Sequence, residues 1–176
     1  IGSDEPVAEL TCWVGGEPLR VLERRTSVWS VDGTGRAFLP NPVNTLNNSS
    51  LLDTSPESAF NGAYADVTLP GLISTGPYTL TGPWVSIVNR SNEPPSIPVP
   101  SESSPVFNYT RSQDGFEAVN VYYWIDYSQR YMRSLGFDNI VNFPIEIDVH
   151  GFSGADNSHF GGLGGGVGYI AYDDGG

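Results

Sequence analysis

The chain has 176 residues and a mass of 19.0 kDa, enough for one medium domain or a smaller one with an extended arm. With 39% hydrophobic and 16% charged residues it can bury a core, and no apolar run approaches the ~18 residues that a helical membrane span requires. All eight basic residues are arginines set against twenty carboxylates, and the resulting net charge of −12 repels phosphate backbones, so nucleic-acid binding is excluded.

Residues 1–30 read as an N-terminal extended arm, ahead of a β-rich unit over 31–176. Leu10 to Val14, the Gly15-Gly16 turn and Leu19 to Leu22 predict a short hairpin or an extended arm. Asp32-Gly33-Thr34-Gly35 reads as a turn before a strand at Arg36 to Leu39, which Pro40-Asn41-Pro42 ends. The Asn- and Ser-rich stretch 44–60 reads as a loop. Two segments, Ala63 to Leu69 and Tyr78 to Val88, alternate apolar and polar residues with period 2, which places one face on a core. Pro94, Pro95, Pro98, Pro100 and Pro105 then mark an irregular connection over 89–105.

The texture changes at Asp114-Gly-Phe-Glu117, a capping-box pattern. Phe116, Val119, Tyr123, Tyr127, Tyr131 and Leu135 follow at spacings of three or four, which predicts a helix over about 115–135 with this aromatic stripe facing the core; Gly136 stops it. Pro144 to Val149 alternates as a strand with Ile145, Ile147 and Val149 inward. The glycine-rich segment 151–168 reads as a flexible turn region, and Gly168 to Tyr172 as a last strand. The fold class is therefore α+β, mostly β: twisted antiparallel sheet with one long helix and many Gly/Pro-rich loops.

Little chemistry is complete in the residues themselves. Cys12 is the only cysteine, which excludes an internal disulfide. His150 and His159 are the only histidines, and H-E-x-x-H, the clearest helical zinc pattern, is absent. Gly151-Phe-Ser-Gly-Ala155 lacks the glycine two places after serine that a nucleophile elbow needs. Gly161 to Gly166 leads into a strand rather than a helix, unlike a phosphate cradle. Asp148, Asp156, Asp173 and Asp174 are hard oxygen ligands that suit calcium, with solvated acids as the plainer reading. Asn47, Asn48, Asn89 and Asn108 head N-x-Ser/Thr triplets, candidate N-glycosylation sites in a secreted chain.

The C-terminal third carries a resemblance. Val121-Tyr-Tyr-Trp-Ile-Asp-Tyr-Ser-Gln-Arg-Tyr-Met-Arg-Ser-Leu-Gly-Phe137, then Ile147-Asp-Val-His-Gly-Phe-Ser-Gly-Ala-Asp-Asn-Ser-His-Phe160, then Tyr169-Ile-Ala-Tyr-Asp-Asp-Gly-Gly176 resemble the thermolysin/fungalysin-like zinc metallopeptidases. Arg36 to Val43 is similar to the opening of the mature catalytic domain in that family, and Trp13 to Leu22 more weakly to the tail of the propeptide before it, which implies that residues 1–30 are a propeptide remnant. The resemblance runs in order over about 30–176 and is specific from about 116 onward. It implies that Asn157 hydrogen-bonds a peptide substrate and that Ser158 pairs with it through its backbone, as with an added strand. It also implies zinc in the parent enzyme, held by an H-E-x-x-H helix that would follow Gly176; both ends of the chain read as cut. Without that helix neither the metal nor its general base is present, and the chain alone is expected to be inactive.

Two functions follow as expectations. One is the substrate-binding, non-catalytic N-terminal half of a secreted metallopeptidase, whose partners are a peptide substrate or the remainder of the peptidase. The alternative is a secreted glycoprotein module that self-associates by strand addition or binds peptides without catalysis.

Overall fold

The computed structural model describes residues 8–15, 20–28, 30–73, 76–90, 97–138, 140–164 and 167–173. Strands β1 (Ala8–Gly15) and β2 (Arg20–Val28) pair antiparallel as a two-stranded sheet of their own, with an irregular step between Trp13 and Val14. This is the hairpin form of the expected arm.

β3 (Val31–Phe38) begins earlier than the sequence pattern indicates, and the expected turn at 32–35 lies inside it. The reason is packing. Its inward positions are Gly33, Gly35 and Ala37, and a Cβ on Gly35 would stand 2.7 Å from Val119 Cγ1. At Gly33 the space is taken by Leu72 and Pro105 O, so both glycines serve close approach, to the long helix at Gly35 and to β4 and Pro105 at Gly33, rather than a chain reversal. After β3, Pro42 sits in the first turn of a short helix, α1 (Pro42–Leu46), and Asn41 Oδ1 accepts from Asn44 N at 2.9 Å. The stretch read as a loop thus contains a proline-started, asparagine-capped turn of helix and a 3₁₀ turn at Glu57–Phe60.

β4 (Tyr64–Leu72) runs antiparallel to β3 and buries Val67, Leu69 and Leu72, as its alternation requires. The second alternating segment divides into β5 (Tyr78–Thr79) and β6 (Val85–Ile87). Within the proline-rich connection β7 (Ser101–Glu102) pairs with β5, and β8 (Val106–Phe107) joins β3 in parallel, completing a sheet of order β4-β3-β8.

The long helix, α2 (Gly115–Ser134), matches the expected span. Its start differs. Asp114 is already in αR conformation and its side chain makes no cap bond, so the capping box does not form. Gln113 Oε1 instead accepts from Thr110 N at 2.9 Å, and Phe116 N donates to Gln113 O at 2.9 Å, so the turn before the helix supplies the order. Leu135 and Gly136, at φ 92°, close the other end.

The buried face of α2 also differs. It carries Phe116, Ala118, Val119, Tyr122, Asp126 and Gln129, while Tyr127, Tyr131 and Leu135 are 51%, 56% and 57% exposed. Of the expected stripe, Phe116 and Val119 are buried and Tyr123 packs half-buried against the core, whereas its C-terminal part, Tyr127, Tyr131 and Leu135, is rotated off it. Period alone does not say which of two apolar stripes turns inward.

β9 (Ile145–Asp148), β10 (Asn157–Gly164) and β11 (Val167–Asp173) complete a second sheet of order β10-β11-β9-β6. β6–β9 and β9–β11 are parallel and β10–β11 antiparallel. The fold is α+β and mostly β, though both larger sheets are mixed rather than wholly antiparallel. Leu69, Leu72, Leu80, Val85, Phe107, Val119, Tyr122 and Ile147 form one buried cluster that joins the two larger sheets to α2.

Candidate functional site

β10 is the outermost strand of its sheet. It opposes β11 with Asn157 across from Asp173, Ser158 from Tyr172, His159 from Ala171, Phe160 from Ile170 and Gly161 from Tyr169. Alternation puts Asn157, His159 and Gly161 on one face, and Ser158, Phe160 and Gly162 on the other. The second face is shared with Ile170 and Ile147, which pair across β11 and β9 and pack on the core.

Glycines 161, 162 and 164 belong to this strand, which extends further than the flexible turn region expected from sequence. Two aromatic rings account for that. Tyr169 lies over Gly161 and Phe160 over Gly168, each where a Cβ would stand. Cross-strand aromatics that cover glycines restore the packing that a bare backbone lacks. Phe160 nonetheless remains 69% exposed.

The entry to β10 is tied down by polar contacts. Ser153 and Gly154 take positive φ angles of 55° and 73°, and Gly154 N donates to Asp173 Oδ2 at 2.8 Å. Asn157 N donates to Ala155 O at 2.7 Å, and Ser158 N to Asn157 Oδ1 at 2.8 Å. Asn157 and Ser158 therefore sit together, both exposed, as the first two residues of the outermost strand. Beside them Asp148 accepts from Arg90 N at 2.7 Å, and His150 Nε2 lies 3.1 Å from Asp114 O, at the start of α2, where the ring nitrogen donates. His150 Nδ1 is 3.9 Å from Asp173 Oδ1. Arg90 pairs with Glu146 and sits 6.0 Å from the Tyr169 ring centroid. Sequence reading missed Arg90 and Glu146, although Glu146 alternates with Ile145 and Ile147 and so had to fall on the face opposite the core.

The two histidines do not converge. His150 turns toward Asp114 and Asp173, while His159 sits between the rings of Phe152 and Tyr169 at 5.2 and 5.8 Å. Among the described residues no three His, Cys, Asp or Glu side chains form a metal-holding group. Of the acids considered for calcium, Asp148 and Asp173 receive backbone amides, Asp156 is exposed and Asp174 lies outside the described residues. These residues do not fit a zinc centre, and no chemical step is derived through one. The sequon asparagines Asn47, Asn48, Asn89 and Asn108 are all exposed. Cys12 lies in β1 opposite Arg24.

Two clefts flank α2. One, of about 320 Å³, lies between α2 and β11 and is lined by Arg111, Glu117, Asn120 and Tyr172 among others. The other, of about 380 Å³, lies between α2 and β4, with Tyr123, Tyr127, Asp126 and Arg130 on the helix side. Asp126 is buried and holds Arg130 through Nε at 2.5 Å and Nη2 at 3.1 Å, a fork that raises the arginine pKa further above its ordinary value. Beneath that pair Tyr122 donates to Pro70 O at 2.8 Å; burial, reinforced by the Asp126 charge, pushes its phenol up. Burial likewise pushes Tyr64 up to about 12, with its bond to Glu57 at 2.5 Å adding to the shift.

No family model matches this chain, and comparisons with curated proteins and with solved structures return no match. Among the described residues no helix is long and apolar enough to cross a membrane.

Proposed function

We propose that the chain holds an extended peptide along β10, as the substrate-binding and non-catalytic part of a secreted, thermolysin/fungalysin-like peptidase scaffold. The observation that carries this reading is the edge itself. β10 spans eight residues at the border of a four-stranded sheet and contains no proline and no Asp, Glu, Lys or Arg. Natural sheets usually blunt such edges with charge or proline, because unpaired amides and carbonyls template another strand. An unblunted edge is suited to strand addition, with main-chain bonds supplying affinity. Asn157 offers an amide that both donates and accepts, which fixes register at the first position. Zinc and its general base belong, in this reading, to other parts of a longer product, so the chain binds peptide without cleaving it.

The test is amide hydrogen exchange of the protein with and without an acetylated, apolar hexapeptide. Protection confined to β10 and weakened by Asn157→Ala supports peptide addition. Unchanged exchange across β10 at saturating peptide rejects it. A second reading uses the same edge for self-association, favoured by the exposed Phe160 ring beside it. Sedimentation velocity over a concentration series separates the two. Self-association that disappears in Phe160→Lys, which places a charge on the edge, favours assembly over peptide capture.

A further inference from the structure

Two rings of α2, the half-buried Tyr123 and the exposed Tyr127, line the cleft against β4, remote in sequence from β10. Its floor and walls are Leu39, Val67 and Pro70 with the rings of Tyr123 and Tyr127, and its polar groups are Asp66, Thr68, Asp126 and Arg130. At about 380 Å³ it is the size of a small-ligand site. Tyr123 and Tyr127 stack at 6.0 Å and 23°, and Trp124 stands edge-on to both at 5.3 and 5.7 Å. Trp124 Nε1 donates to Phe38 O at 3.1 Å, which fixes its ring. The platform is therefore rigid before any ligand arrives, and rigidity reduces the ordering cost of binding.

Charge decides what such a platform can take. Arg130 is held in plane by its fork to Asp126, among the described residues its Nη1 has no partner, and it brings N–H donors to the cleft that it lines. An anion gains little there. Asp126 already compensates the guanidinium, Asp66 stands at the same cleft, and the chain carries a net charge of −12. A cation gains little either, because Arg130 lines the cleft and Arg36 lies 3.7 Å from Asp66. A wholly apolar ligand would strip water from Arg130, Asp66 and Thr68 without replacing it. What remains is a neutral ring with one apolar face and a rim of hydroxyls. We infer that this cleft binds a pyranose unit of a glycan, its C–H face on the ring of Tyr127 and its hydroxyls on Arg130, Asp66 and Thr68. This site is independent of the β10 edge.

The experiment titrates unglycosylated protein with methyl glycosides of glucose, galactose and mannose and with N-acetylglucosamine, following Trp124 fluorescence and backbone amide shifts. The expected result is saturable binding by at least one sugar with shifts confined to α2 and β4, at millimolar affinity typical of a single small ring. Tyr127→Ala, at a half-exposed position, weakens it at least tenfold with the melting temperature held. Arg130→Lys keeps the charge on Asp126 but loses the fork and weakens binding severalfold. No saturation by any of the four sugars at ~50 mM overturns the proposal. Equal binding by Tyr127→Ala also overturns it. Saturation of the same amides by a proline-rich peptide, with no sugar response, overturns it in favour of peptide docking on the aromatic groove.

Discussion

The two faces of α2 are built from similar residue types and do different work. Inward, Ala118, Val119 and Tyr122 join the core shared by the two larger sheets, where β3 offers only Gly33, Gly35 and Ala37, and Phe116 packs on the rings of Phe38 and Tyr64. Outward, Tyr127 stacks on the half-buried Tyr123, which packs against the core, while Tyr131 and Leu135 remain in water. The lesson is that helical spacing finds stripes but does not rank them. Here glycines mark the core side of the helix: Val119 fills the space beside Gly35 and Tyr122 the space beside Gly82.

The comparison breaks most sharply at Tyr122. Tyr122→Ala removes a fully buried ring and its bond to Pro70, and is expected to cost about 3–5 kcal/mol in chemical denaturation. The same change at Tyr127 on the outer face is expected to move stability by about 0.5 kcal/mol or less. If the two losses were equal, the division into faces would be wrong. Next is Gly35→Ala, which places a methyl 2.7 Å from Val119 Cγ1 and 3.1 Å from Phe107 O. Overpacking of this kind costs about 1–3 kcal/mol, and Val119→Ala in the same chain should recover part of it, measurable as a double-mutant cycle.

A pH series sharpens the contrast further. Buried or bonded phenols at Tyr64, Tyr109 and Tyr122 hold their protons above the ordinary value, Tyr64 to about 12. Their folded pKa values exceed the unfolded value near 10, so above pH 10 the unfolded chain has released more protons than the folded one. Stability is therefore full below about pH 10 and falls as pH rises toward 12 and beyond. Tyr64→Phe should flatten that fall between about pH 10 and 12, as read from denaturation midpoints. The smallest effect is expected for Phe160→Ala on β10. It uncovers Gly168 while losing a largely exposed ring, about 0.5 kcal/mol by cross-strand pairing, and should show first as faster amide exchange in that strand.

Much of this architecture was legible because alternation and helical period report on burial directly. Val67 and Leu69 in β4, Ile147 in β9 and the span of α2 all lie where periodicity puts them. What escaped has a common cause in glycine. Gly33 and Gly35 look like a turn, and 161–164 look like slack chain, because glycine carries no pattern of its own. The space a Cβ would need is taken by Leu72 and Pro105 at Gly33, by Val119 at Gly35 and by the Tyr169 ring at Gly161, neighbours that lie elsewhere in the sequence. Asn157 and Ser158 were visible only through a resemblance, whereas their place on an open edge depends on strand order, which no local pattern encodes. The α2–β4 cleft was hidden because its aromatics were assigned to the core.

The parallel pairing of β6 with β9 sets a schedule for making this protein. Val85 must wait for Ile145, and β9 in turn for Tyr169, before the second sheet has any interior. A ribosome delivers the chain from its N-terminus, so β3, β4 and α2 emerge before Ile147 and Val149 of their common core. Contacts so distant along the chain close slowly and leave apolar surface uncovered meanwhile. In a cell, yield should therefore depend on holdase chaperones and on translation speed across residues 115–145 more than on the stability of the finished fold.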